Sequence, residues 1–488
     1  MMNSNDYSKT EYTKCLPTIR LQKVEINNFK NVEHGEIIFN CAREKTAPGI
    51  QSDILGLYGQ NGSGKTSFVD AMCILRRCLL GERLLERFAE CVAKDADHAR
   101  LVFVFDLQYP DGRQRTVSYE LSLKAVPDRE TSQEMISSVM NENGGKIKPV
   151  VFDEVLRMAG HFENKKVRLQ PVIDMSKNVS LFLPESKVKT LLPNVTQKTV
   201  IDFASNKKLA QERATSQIFL DETIGIFAEY GYSEYFQVIL ELRYFATYFF
   251  YIVTTDKSGI IRANLGIPFY TREGILTFDV NKSNTLPDYY YTMMKDQLDV
   301  VNVVVKKLIP GLSIHMKEAG TTVLQDGKPG HMVELTAVRN GKELPIRCLS
   351  DGVRRLISML NLLVTVYNEQ SCTVVIDEFD AGIFEYLLGE ILQLIESSGR
   401  GQFIFTSHNL RPLEVIRSKY LYFTTTNPKN RYIQFKGVKS SSNLRKLYFR
   451  DILLGGQDEE MYESGQQFEI AMAFHKAGSR KKEQNGKG

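Results

Sequence analysis

The chain has 488 residues, 43% hydrophobic and 25% charged, proportions of an ordinary globular protein that exclude disorder throughout. Its 62 Lys and Arg against 58 Asp and Glu leave a formal net charge of +4, so any contact with nucleic acid must come from a local patch. With 33 Gly and 15 Pro it is neither fibrous nor low in complexity, and its length allows roughly two to four domains.

Met1 to Lys14 is polar and lacks the apolar core of a secretory signal. The most apolar run, Tyr244 to Val253, is about half of the roughly 20 residues a bilayer span needs, so no membrane association is expected. The seven cysteines (Cys15, Cys41, Cys73, Cys78, Cys91, Cys348 and Cys372) show no CxxC or His-interleaved spacing. Cys73 and Cys78 fall in an apolar helical context and are expected as buried free thiols, and the expected location is the cytoplasm.

Asp53 to Tyr58 reads as a short buried strand. It runs into Gly59-Gln60-Asn61-Gly62-Ser63-Gly64-Lys65-Thr66, a match to G-x-x-x-x-G-K-[ST], and then into a helix from Ser67 through Leu75. Glycines let backbone N–H groups turn toward phosphates, and the helix N-terminus adds a favourable dipole. ATP is therefore expected on Gly59 through Ser67. Lys65 reaches the β- and γ-phosphates, and the Thr66 hydroxyl is a Mg²⁺ ligand.

A hairpin follows, Leu101 to Leu107 and Thr116 to Leu123 about a turn at Pro110-Asp111-Gly112. Beyond it, residues 126–285 carry Pro127, Pro149, Pro171, Pro184, Pro193 and Pro268 with no sustained heptads, which argues against a long coiled coil. Glu163 to Arg213 is polar and Lys-rich and reads as mixed and partly mobile. The aromatics between Phe219 and Val253 have the spacing of a helical core. Asp202 and Asp221-Glu222 read as exposed helix-cap acids rather than a metal site.

A helix is expected from Pro287 to Leu308, then strands near Leu312 to Lys317 and Met332 to Arg339. Leu349-Ser350-Asp351-Gly352 precedes a helix whose apolar residues Val353, Leu356, Ile357, Leu360, Leu363 and Val364 keep the 3.6 period. Ser350 has the position of an N-cap and could also offer its hydroxyl to a γ-phosphate. Ser371 to Ile376 is a buried strand ending in Asp377-Glu378, with Asp377 suited to Mg²⁺ and Glu378 to the general base. A helix from Ile383 to Ser397 leads to a strand, Gly401 to Thr406, that ends in Ser407-His408-Asn409. Tyr420 to Thr425 and Arg431 to Phe435 read as closing strands. The tail gathers Lys436, Lys439, Arg445, Lys446 and Arg450, and later Arg480-Lys481-Lys482, which could meet a phosphate backbone or simply be solvated.

Glycine loop, L-S-x-G, Asp-Glu strand and a downstream strand ending in His, in that order, resemble the ABC-type ATPases of the RecF/SMC class. Ile19 to Val32, with Asn28-Phe29-Lys30-Asn31, is similar to the strand that opens such heads. The resemblance covers about 19–125 and 290–425. It implies an α/β fold: a two-lobed ABC-type P-loop ATPase head split by a mixed, mainly helical insertion. The N-terminal lobe would be 1–125, the insertion 126–286, the C-terminal lobe 287–435 and an extension 436–488.

It also implies that two heads sandwich two ATP molecules. Ser350, Asp351 and Gly352 would then reach the nucleotide of the other copy, Thr66 and Asp377 would hold Mg²⁺, Glu378 would be the base and His408 the switch. Asp380-Ala381 lies where the D-loop would be. The family's glutamine toward the metal could be Gln108, Gln114 or neither. The compact insertion looks like RecF-like "AAA family" ATPases of bacterial anti-phage systems, which implies a homodimer or higher homo-oligomer with a separate effector protein. A DNA-clamping repair ATPase is the alternative. A fused nuclease is not expected, because few residues follow His408.

Overall fold

A computed structural model of the protein describes residues 16–39, 53–128, 147–177, 181–231, 233–254, 261–262, 266–271, 274–279, 282–324, 326–435, 444–454, 459–461 and 469–477. Alternating apolar and polar side chains build β1 (Thr18–Phe29), which buries Leu21, Val24, Ile26 and Phe29 on one face. It pairs with β2 (Val32–Ile38). The chain then crosses to a second sheet as β3 (Asp53–Tyr58), forms helix α1 (Lys65–Leu80), and returns as β4 (Ala99–Gln108), β5 (Gln114–Pro127), β6 (Ile147–Phe162) and β7 (Lys165–Asp174). These make an antiparallel sheet in the order β2-β1-β4-β5-β6-β7.

Helices α2 (Glu185–Leu191), α3 (Gln197–Arg213), α4 (Asp221–Glu229) and α5 (Glu234–Tyr248) follow. Then come β8 (Phe250–Thr254), β9 (Ile261–Arg262) and the hairpin β10 (Gly266–Thr271) with β11 (Gly274–Asp279). The next unit contains β12 (Asn284–Pro287), α6 (Asp288–Leu308), β13 (Leu312–Val323), β14 (Pro329–Arg339) and β15 (Lys342–Pro345). It leads through α7 (Asp351–Asn368), β16 (Thr373–Ile376), α8 (Glu385–Ser398) and β17 (Gln402–Thr406) to α9 (Pro412–Val415), β18 (Leu421–Thr424), β19 (Tyr432–Ile433) and α10 (Leu444–Leu454).

The central sheet has the order β19-β18-β3-β17-β16-β8-β9, parallel throughout except for the β18–β19 pair. Both of its faces are covered, as the unbroken apolar runs of its strands require. Leu55, Leu57, Phe250, Ile252, Val375 and Ile404 join one core with the antiparallel sheet, α1 and α5. Their alternate neighbours Ile54, Tyr251, Val253, Val374, Ile376, Phe403 and Phe405 join another with α6, α7 and α8. The two lobes are thus cemented across one sheet.

Segment 126–286, expected as an insertion, is shared between lobes. β6 and β7 extend the antiparallel sheet, and β8 lies beside β16 in the parallel one. β8 escapes a pattern reading because its five buried residues continue, without a break in hydrophobicity, from the aromatic helix α5. The polar Glu163 to Arg213 segment contains β7, α2 and α3, whose exposed faces carry most of the lysines, while Lys187 on α2 is buried and donates to Tyr235 OH at 2.6 Å. The aromatics Phe219, Phe227, Phe236 and Phe245 are core, as expected. Cys73 and Cys78 are buried free thiols. Among the described residues no helix is long and apolar enough to cross a membrane.

Candidate functional site

The glycine loop follows the C-terminal end of β3, and α1 begins at Lys65. Gly59 is obligatory: its φ is +153°, and a Cβ there would meet Thr424 Oγ1 at 1.6 Å. Thr424 supports the loop, its Oγ1 lying within hydrogen-bond reach of Tyr58 O (3.1 Å) and Ser63 Oγ (2.5 Å), and Tyr432 OH donates to Gly64 O at 2.8 Å. The Lys65 ammonium spans the loop, donating to Gly59 O (2.8 Å) and Gln60 O (2.9 Å). Burial pulls its pKa down to about 8 against the attraction of Asp377, Glu378 and Asp380. Asn61, Gly62 and Thr66 are exposed, whereas Ser67 is buried and donates to Asn31 Oδ1 at 3.1 Å. Asn31 in turn donates to Gly62 O.

β3, β17 and β16 are adjacent and parallel, so the segments after them emerge on the same edge of the sheet. That edge brings together the glycine loop, Asp377-Glu378 and His408, which are far apart in sequence. Thr406, the last residue of β17, accepts from Glu378 N at 2.8 Å and donates to Asp377 Oδ1 at 2.5 Å. Burial raises the Asp377 pKa, with the Thr406 bond opposing it. Glu378 holds a left-handed conformation, φ +50°, of the kind that persists only where surroundings enforce it. The enforcement comes from Thr406 on its N–H and from Arg355, whose Nη2 donates to Asp377 O (2.8 Å) and Glu378 O (2.7 Å).

Asp380 ties the next turn to the histidine segment. Its Oδ2 accepts from His408 N at 3.2 Å and Asn409 N at 2.9 Å. The His408 side chain is exposed, and partial burial with the charge of Lys65 lowers its pKa. Ser350 stands at the N-cap of α7 without a side-chain cap bond, so the capping alternative is not used. Asp351 is exposed and pairs with Arg354. A Cβ on Gly352 would lie 1.7 Å from Gly382 O, so the start of α7 rests directly on the turn after Asp380.

Gln108 and Gln114 do not reach this edge. They face each other at the turn end of the β4–β5 hairpin, and both donate to Asp106 at 2.7 Å. Gln108 pairs with Thr18 at the start of β1, whereas the glycine loop meets Asn31 just past its end. Over a 12-residue strand that separation is about 35 Å. The residue that β8 delivers beside Asp377 is Thr254, with Asp377 N donating to Val253 O at 2.9 Å. In the tail, Arg445 pairs with Glu414 (3.0 Å) and Arg450 with Asp451 (3.1 Å). Lys436, Lys439, Arg480, Lys481 and Lys482 lie outside the described residues. Asp221 and Glu222 open α4 and pair with Arg243 and Arg213.

Sequence reasoning missed Arg355, Thr406 and Thr424. Arg355 carries a signal: it is a cation inside the buried stripe of α7, only 3% exposed. The two threonines sit at strand ends where any small polar residue would read the same way.

With this geometry in place, the comparisons are direct. The RecF/RecN/SMC N terminal domain family model matches residues 20–430, most of the chain. The protein belongs to that family and is an ATP-binding ATPase of the RecF/SMC type. No curated protein matches the sequence. Similar solved structures include the SMC head domain from Thermotoga maritima, 14% identical, covering 86% of this chain and 99% of that one at a TM-score of 0.34. Another is the Smc head domain with an extended coiled coil bound to the C-terminal domain of ScpA, derived from Pyrococcus furiosus (14%, 86% and 96%, TM-score 0.37). A third is the recombination mediator protein RecF with ATP (12%, 86% and 100%, TM-score 0.34). The family match and the site geometry, rather than these loose superpositions, carry the assignment.

Proposed function

We propose that two copies of this chain close head to head around ATP and hydrolyse it to ADP and phosphate, each copy offering Ser350 to Gly352 to the nucleotide on the other's glycine loop. The observation that carries this reading is the shared sheet edge: Lys65, Asp377, Glu378 and His408 sit together there. Lys65 is the cation for the β- and γ-phosphates. Glu378, fixed by Arg355 and Thr406, takes the proton of the attacking water. His408, its backbone held by Asp380 and its pKa lowered, senses the γ-phosphate in this reading.

Thr66 with its exposed hydroxyl and Asp377 with its carboxylate suit a hard cation completed by phosphate and water oxygens. Bound there, Mg²⁺ would neutralise charge building on the phosphates.

The cycle of closure and release acts, in this proposal, as a sensor or scaffold that governs a separate effector in anti-phage defence. That role is supported by resemblance alone. Phosphate release from ATP by the purified protein tests the enzymatic part. Wild type should turn over ATP and Lys65→Ala should not. Equal release by both would end the proposal.

A further inference from the structure

Arg431 is a buried cation, 6% exposed, with no carboxylate paired to it among the described residues. It precedes β19, and its main chain is fixed on both sides: Arg431 N donates to His34 O at 3.1 Å, and Arg431 O accepts from Thr425 N at 3.0 Å. Its stem lies along the end of the glycine loop, since a Cβ built on Gly64 would come 3.2 Å from Cγ and 3.3 Å from Cδ. The guanidinium donates to two main-chain carbonyls, Thr425 O and Asn31 O, and its Nε is buried without a partner. Asn31 itself holds Gly62 O and Ser67 Oγ. The charge therefore sits beside the start of α1.

Other cations beside α1 are spent, because Lys30 and Arg87 both pair with Asp70. Arg431 is not. Burial disfavours its charge, and the pull of Tyr432 and of the exposed Glu33 does not offset that. Carbonyls hydrogen-bond a cation without neutralising it, so the fold carries an uncompensated buried charge. Such a cost is kept where the opposite charge of a ligand recovers it. ATP on the glycine loop brings that charge, and it needs cations, because Asp377, Glu378 and Asp380 all act on Lys65 at the same edge.

We infer that Arg431 is a second cation of the nucleotide site: without touching ATP, it attracts the phosphates through the glycine loop and favours the more highly charged nucleotide. A charge shielded from water acts over several ångströms in this way. The inference stands on nucleotide binding by this loop and needs no second copy of the chain.

The test is calorimetric titration of ATP and of ADP into wild type, Arg431→Met, Arg431→Gln and Arg431→Lys. EDTA prevents hydrolysis and leaves the full phosphate charge. Arg431→Met should weaken ATP binding by at least about tenfold, and ADP binding by less. Arg431→Lys, which keeps the charge without the planar fork, should restore most of the ATP affinity. Arg431→Gln keeps an amide donor without the charge and should behave like Arg431→Met. A brace that only shapes the loop would lower both nucleotides by the same factor, with Arg431→Lys no better than Arg431→Gln, and that result overturns the inference. Unchanged ATP affinity in Arg431→Met overturns it as well. If Arg431→Met does not fold, as judged by urea unfolding, the Lys and Gln variants decide on the same readout. Wild type that binds neither nucleotide, in EDTA or with Mg²⁺, would defeat the glycine-loop site itself and this inference with it.

Discussion

Gly352 and Gly382 are in backbone contact: a methyl group on Gly352 would fall 1.7 Å from the Gly382 carbonyl oxygen. The start of α7, which carries Ser350, is thereby registered against the turn that follows Glu378 and Asp380. Ser350 cannot move without moving this turn. Gly352→Ala has no flexible side chain to push aside, only backbone, so the helix start must shift. Turnover should fall by at least about tenfold, since misplacement by 1 Å is enough to cost that. Binding of ATP to the glycine loop should change little. Steady-state hydrolysis beside nucleotide titration checks this, and unchanged turnover would remove the contact from the mechanism.

Arg355 joins the same helix to Asp377 and Glu378 through their carbonyls. It acts through these residues, as a positioning group. Arg355→Met should take the donor from the Asp377 carbonyl, while the Glu378 carbonyl keeps its bond from Ala381 N, and lower stability by about 1–3 kcal/mol, measurable by urea unfolding. It should also reduce kcat while leaving KM near its wild-type value. Arg355→Lys, which keeps the charge without the planar fork, should restore part of the stability and less of the turnover. A variant with normal kcat would show that Glu378 keeps its backbone conformation without the clamp.

Glu378→Gln should retain ATP binding and lose turnover by about 10²–10⁴-fold, the usual worth of a general base. A loss below about tenfold would dismiss Glu378 from that role. Ser350→Arg should leave monomer binding intact and block closure by placing bulk where the second nucleotide is proposed to lie.

The parts of the site that could be read from the sequence are those in which local chain geometry and chemistry coincide. Gly59 to Thr66 announces itself because a tight anion-binding turn needs glycines at fixed steps, and the Asp377 strand because it is wholly apolar up to its acid. Arg355, Thr406 and Asp380 were legible as residue types but not as partners, because their roles depend on which strands become neighbours. The placement of β8 was hidden for the same reason. Five buried residues after an aromatic helix look alike whether they end a helix or fill the centre of a sheet. The glutamines at 108 and 114 illustrate the converse: a suitable residue type whose position along the hairpin places it at the wrong end.

Glu241 offers a test of the packing of α5 against the β4–β5 hairpin. It is 2% exposed and accepts from Tyr109 OH at 2.6 Å and Gln237 Nε2 at 3.1 Å. Burial lifts its pKa to about 7, against the pull of the Tyr109 hydroxyl and Arg115. The folded protein then holds a proton that the unfolded chain has already lost between the ordinary value of 4.5 and about 7. Stability from this group therefore falls as pH rises through that window. Glu241→Gln should flatten the fall, so that between pH 5 and pH 8 wild type loses up to about 3 kcal/mol more than the variant. Urea unfolding at both pH values measures it, and parallel losses would mean the carboxyl is ionised throughout.

The central claim is a composite site closed by two heads around ATP. Its most direct test is solution mass by light scattering for wild type and Glu378→Gln, with and without ATP and Mg²⁺. The account predicts monomers without nucleotide, dimers with it, and a larger dimer fraction in Glu378→Gln, where hydrolysis no longer reopens the pair. A mass that ignores ATP in both proteins, while ATP binds, would contradict it.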